Sequence, residues 1–127
     1  MNPKYKMTIA VLAGAVLGAA VVQGLHAQAK PPVYTVTETD VNNVDAYLKE
    51  YFPVAQALTK KGGGTLLAAS LKVTALIGTA PKRIAITRWE SLETAQAVYN
   101  SAEYQAAQKI AEKYATLRRY AVEGLAQ

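Results

Sequence analysis

Aromatic side chains and a few arginines are the groups in this 127-residue chain best suited to chemistry. Tyr47, Tyr51, Trp89, Tyr99 and Tyr104 fall on or beside two segments of helical periodicity, and Arg88, Arg118 and Arg119 lie near the ends of alternating, strand-like segments. Aromatic faces wall a pocket for a planar apolar ligand, and a phenol or indole adds a polar handle. An arginine fork grips a carboxylate through two parallel hydrogen bonds. The candidate pocket set is therefore Tyr47, Tyr51, Trp89, Tyr99, Tyr104 and Arg118. The same residues have a plainer reading as core aromatics and solvated strand-edge cations. Glu38 with Asp40, and Asp45 with Glu50, are the right ligand type for a hard cation but lack binding-loop spacing, so no metal is assigned.

Composition narrows the chemistry further. The chain carries 14 Lys and Arg against 9 Asp and Glu, with one histidine and no cysteine. Met1 to Met7 holds Lys4 and Lys6 and no acid, Thr8 to Val22 (TIAVLAGAVLGAAVV) is apolar or small throughout, and Ala27-Gln28-Ala29 suits a signal peptidase. Residues 1–29 are thus expected to be a secretory signal peptide cut after Ala29, with a periplasmic or secreted product. The apolar run is short of the ~20 residues that a spanning helix needs, and the alternative is an uncleaved leader anchored in the inner membrane. No Arg-Arg pair or lipid-accepting Cys is present, which points to general secretion. His26 leaves with the leader. The remainder has neither His nor Cys, which excludes thiol nucleophiles, Ser-His-Asp triads, and zinc or haem sites built on either residue. No cofactor is expected. Any acid-base work falls to tyrosines and carboxylates, and an enzyme is the less favoured reading.

The elements that must position these groups follow from periodicity. Lys30-Pro31-Pro32 is a stiff lead-in to an alternating strand, Val33 to Thr39, after which Asn42 or Asn43 caps a helix. Val44, Leu48, Tyr51, Ala55 and Leu58 share one face of that helix, and Pro53 predicts a kink near Tyr51 or a helix in two pieces. Lys60-Lys61 followed by Gly62-Gly63-Gly64 reads as a helix stop rather than a phosphate loop, because phosphate loops precede a helix. Thr65 to Ile77 (TLLAASLKVTALI) is expected to form a bent strand, or two with a bulge near Ser70. Lys82 to Trp89 alternates as a third strand. Ser91 caps a second helix, and Asn100-Ser101 restarts it with a stripe of Tyr104, Ala107, Ala111, Tyr114 and Leu117. Arg118 to Glu123 closes as a fourth strand.

The order β-α-β-β-α-β predicts an α+β, ferredoxin-like domain over residues 30–127, an antiparallel sheet with its helices on one face and the last strand at an edge beside the strand after the glycines. Each short strand has a bulky face (Tyr34 and Val36; Ile84 and Ile86; Tyr120 and Val122) and a smaller one (Thr35 and Thr37; Ala85 and Thr87; Ala121). With the bulky faces under the helices, the Thr/Ala faces are expected to meet in a homodimer, leaving a cavity between the sheets or under the helices. An RNA-recognition module shares this order but needs stacking aromatics in its central strands; Ile84 to Thr87 has none, so no nucleic-acid partner is expected.

In order and spacing, the motifs DVNNVDAYLKEYFPVAQ, KKGGG, PKRIAITRWESLETAQAVYNSAEYQ and YAVEGL resemble the domain-of-unknown-function family DUF1330 across Val33 to Leu125. The resemblance implies a dimeric α+β barrel. That superfold also houses cofactor-free monooxygenases, isomerases, dehalogenases and haem-degrading proteins, so it names no reaction. Members often carry an acid before the glycine that ends the long strand, where this chain has Ile77. They often carry arginines after the N-S-x-x-Y tyrosine, where it has Gln108 and Ala111; Arg118 matches the arginine that opens the last strand. The expectation is a homodimer that binds a small apolar or aromatic molecule or simply assembles. The alternatives are a cofactor-free oxygenase or isomerase acting on a small aromatic substrate, and a structural partner-binding module.

Overall fold

The computed structural model describes residues 30–126, so the expected leader lies outside the described residues. β1 (Val33–Val41) leads through the cap of Asn43, whose side chain accepts from the Ala46 N–H, into α1 (Val44–Ala46). A π turn over Tyr47–Tyr51 follows, then α2 (Phe52–Lys61). The two-piece helix has a definite cause. Pro53 has no N–H to donate and its ring crowds the preceding turn; widening that turn relieves the crowding, and the Phe52 N–H reaches back to the Tyr47 carbonyl. Gly62 caps the helix by donating to the Leu58 carbonyl, and Gly63, which donates to the Lys60 carbonyl, turns the chain at φ 97°. Ser91 and Ser101 cap α3 (Leu92–Tyr99) and α4 (Ala102–Glu112), each accepting from a backbone N–H three residues on.

β2 (Thr65–Ser70), β3 (Arg83–Trp89) and β4 (Ala115–Glu123) join β1 in one antiparallel sheet of order β2-β3-β1-β4. This is the ferredoxin-like arrangement, and it corrects several expectations. The last strand does take an edge, but beside β1 rather than β2. The N–H groups of Asn42 and Asn43 both donate to the Tyr114 carbonyl, at 2.7 and 3.3 Å, which ties the start of β4 to the end of β1. The strand after the glycines is short, with its register shift between Leu66 and Ala68. Beyond Ser70, whose hydroxyl accepts from the Lys72 N–H, the chain runs irregularly to β3, and Leu76 and Ile77 are 96% and 97% exposed.

The sheet faces are also the reverse of the expected assignment. Thr35, Thr37, Thr39 and Val41 of β1, with Arg83, Thr87 and Trp89 of β3, are buried under the helices. Tyr34, Val36, Ile84 and Ile86 point the other way and are half-buried, and Tyr120 and Val122 beside them are exposed. The helices supply the bulk of the core themselves. Tyr47, Tyr51 and Tyr104 pack with Ala55, Ala107, Ala111 and Ala115, so the sheet beneath them needs small residues.

Candidate functional site

A cavity of about 290 Å³ lies between the helical layer and this threonine-rich face. Tyr47, Tyr51, Phe52 and Ala55 wall it from the π turn and α2, Tyr99 and Tyr104 from α3 and α4, and Thr37, Ala85 and Thr87 from the sheet. The space follows from the sequence: short Thr and Ala side chains on the strands do not reach the rings above them. The rings are in series. Tyr47 and Tyr51 lie 5.0 Å apart between centroids; Tyr51 meets Tyr104 edge-on at 6.5 Å, Tyr104 meets Tyr99 at 4.9 Å, and Tyr99 meets Trp89 at 5.5 Å. Edge-to-face contacts of this kind hold each ring in orientation as well as in place. Hydrogen bonds fix the polar ends: the Tyr51 and Tyr104 hydroxyls are 2.7 Å apart, and Thr35 Oγ1 accepts from the Trp89 indole at 2.9 Å while bonding the Tyr99 hydroxyl at 2.9 Å.

Two guanidinium groups reach the same cavity. Arg119 Nε donates to Thr37 Oγ1 at 3.0 Å, and its Nη2 donates to the Tyr104 and Tyr51 hydroxyls at 3.2 and 3.4 Å. Its Cζ lies 4.2 Å from the Tyr99 ring centroid and 5.2 Å from that of Tyr104. Arg83 is only 3% exposed, with its Cζ 4.6 Å from the Phe52 centroid and 5.4 Å from that of Tyr47. Its Nη1 approaches the Tyr47 hydroxyl at 3.5 Å. Ring faces attract a cation, but they do not neutralise it. Among the described residues the ion pair found is Arg118 with Glu38, on the other side of the sheet, so neither cavity arginine has a carboxylate partner.

Burial pushes the Tyr104 phenol well above its ordinary range and raises Tyr51 as well, although Arg119 pulls both back. The two phenols are therefore protonated at neutral pH. One proton is shared within the pair, and the second is available to an acceptor in the cavity. Among the described residues no carboxylate lines the cavity, and what they present is aromatic faces, hydroxyls and positive charge. That combination is chemically suited to an electron-rich ligand. Neither a carboxylate nor an imidazole, the usual general bases, is among the described lining residues.

The six sequence candidates divide. Tyr47, Tyr51, Tyr99 and Tyr104 line the cavity; Trp89, 1% exposed, packs behind Tyr99 rather than on the lining. Arg118 does not reach it. Successive side chains of β4 alternate, so Arg118 turns to the open face to pair with Glu38 while Arg119 turns inward. Glu38 also accepts from Tyr120, and among the described residues no group of three or more acidic or histidine side chains gathers as a metal site. Arg83, Phe52 and Arg119 line the cavity as well, as does Lys60 near the end of α2. The signal for Arg83 was its parity with Trp89: Arg83, Ala85, Thr87 and Trp89 alternate onto one face. Ile77 and Gln108 lie away from the cavity lining, and Ala111 is packed in the core.

The family model for the domain of unknown function DUF1330 matches residues 32–125. No curated protein matches the chain. Several solved structures resemble it at low identity. A protein of unknown function from Rhodopseudomonas palustris has a TM-score of 0.64 at 14% identity, covering 76% of this chain and 84% of its own. SnoaB, a cofactor-independent oxygenase from Streptomyces nogalater, has a TM-score of 0.55 at 11% identity, with 72% and 91% coverage. A dimeric protein of unknown function and ferredoxin-like fold from Bacteroides fragilis has a TM-score of 0.51 at 14% identity, with 72% and 95% coverage. Identities this low establish a shared fold and leave ligand and reaction open.

Proposed function

The chain belongs to the DUF1330 family, and from that premise we propose that it is an exported homodimeric protein that binds a small aromatic or apolar molecule in the cavity between its helices and its sheet. The cavity itself carries the reading: aromatic rings held in register around about 290 Å³ of open space, with polar groups at fixed points. Filling that space would have been easy. Larger residues at Thr37, Ala85 or Thr87 would have closed it, yet the sheet keeps it open. The lack of a base among the lining groups favours retention of a ligand over its chemical conversion.

The open sheet face supports the homodimer. Tyr120, Val36, Ile86 and Ala68 form one row across the four strands, and Val122 and Tyr34 stand in the next. A contiguous apolar sheet face of this kind is usually covered, and a second copy related by two-fold symmetry covers it with the same residues. The resemblance to a dimeric protein of this fold agrees. Export rests on the charged, apolar and small-residue pattern of residues 1–29.

Native mass spectrometry of protein purified from its own host tests both halves in one spectrum. The expected species is a dimer carrying a small molecule that Ala85→Phe, which fills the cavity, no longer retains. A ligand still held by that variant places binding elsewhere, and a monomer at micromolar concentration contradicts the dimer.

A further inference from the structure

We infer that the ligand is an organic anion, a small aromatic or apolar carboxylic acid bound as its carboxylate between Arg83 and Arg119. The inference rests on the cavity being the binding site and adds the chemical class of its occupant. Arg83 is nearly fully buried, and its interactions with described residues are ring faces and one long contact to the Tyr47 hydroxyl. A desolvated cation without a counter-ion is costly, and such groups are ordinarily paired. Arg119 Nη1 likewise makes no hydrogen bond with the described residues, while Nε and Nη2 of the same fork are held in place by Thr37, Tyr51 and Tyr104. The fork is thus fixed with one edge still free.

The register brings the two cations together. Arg83 pairs with Thr39 and Arg119 with Thr37, so they approach the cavity from the strands on either side of β1. Strands two apart are separated by about 10 Å, a span that two arginine side chains reach across toward a common centre. The Tyr51 and Tyr104 pair holds one proton beyond the one it shares, which is a further donor for a carboxylate oxygen. The rings of Tyr99 and Tyr47 select against a small hydrated ion. An inorganic anion would fill the charge requirement and leave the apolar walls wet.

Isothermal titration with 2-naphthoate and its neutral isostere 2-naphthamide reads the charge directly. Naphthoate is expected to bind at least about tenfold more tightly, as hydrogen bonds to a charged group imply. Arg119→Gln should bring the ratio close to one, and Arg119→Lys should keep part of it. Arg83→Met should also abolish the preference, yet raise the Tm of the ligand-free protein because it removes an unpaired buried charge. A fall in that Tm marks Arg83 as structural and overturns its role. Equal affinity for the two compounds overturns the anion while leaving the cavity as a binding site. Binding of neither overturns both, and inorganic phosphate binding as tightly as naphthoate overturns the organic acid.

Discussion

At the residue scale, the tyrosine pair makes the clearest pH prediction. Burial raises both Tyr51 and Tyr104 above the ordinary phenol value of 10.0, so the folded chain holds these protons more tightly than the unfolded chain. Their contribution to stability is complete below pH 10 and declines as pH climbs through the higher folded values. Urea midpoints measured across that range should fall, with phenolate absorbance lagging behind that of exposed tyrosines; a flat profile would count against the burial argument. Thr39 makes the opposite kind of prediction. Its hydroxyl is fully buried with no partner, so Thr39→Val, which keeps the shape, should leave stability unchanged or raise it by about 1 kcal/mol in chemical denaturation. The aromatic residues were legible because helical spacing exposes them in the sequence. The choice between Arg118 and Arg119 was not, because a one-residue change of parity sends a side chain to the opposite sheet face.

At the element scale, the packing of the first helix onto the sheet depends on Gly64. A Cβ there would lie 2.7 Å from Thr59 Cγ2 and 2.8 Å from Trp89 Cη2, so Gly64→Ala should cost about 1–3 kcal/mol in urea unfolding and loosen the cavity that Gly64 lines. Leu76→Ser and Ile77→Ser should each move stability by no more than about 0.5 kcal/mol, since both side chains are already in solvent. Helix boundaries were readable from local chemistry: Asn43, Ser91 and Ser101 cap as their residue types suggest, and Pro53 divides the first helix. The long strand was not. TLLAASLKVTALI is rich in apolar and β-branched residues, yet β3 begins at Arg83, just before the Ile84 that pairs with Ser70, and leaves the rest of the stretch without a strand to pair with. Propensity in a strand is realised only where a neighbour supplies the ladder.

At the scale of the whole molecule, the order of elements identified the ferredoxin-like sheet, but the allocation of its two faces did not follow from strand residues alone. Bulk on a strand points toward whichever side lacks filler; here the helices bring tyrosines, so the bulky strand residues face out. Ile86→Glu, in the middle of that outer row, should yield a folded monomer by light scattering with the cavity preserved. Most direct of all is an NMR measurement of where 2-naphthoate sits. The account predicts intermolecular NOEs from its ring protons to Tyr51, Tyr104 and Ala85, lost in Ala85→Phe. NOEs to Tyr34, Val36 and Tyr120 instead would move the binding site to the open sheet face and contradict it.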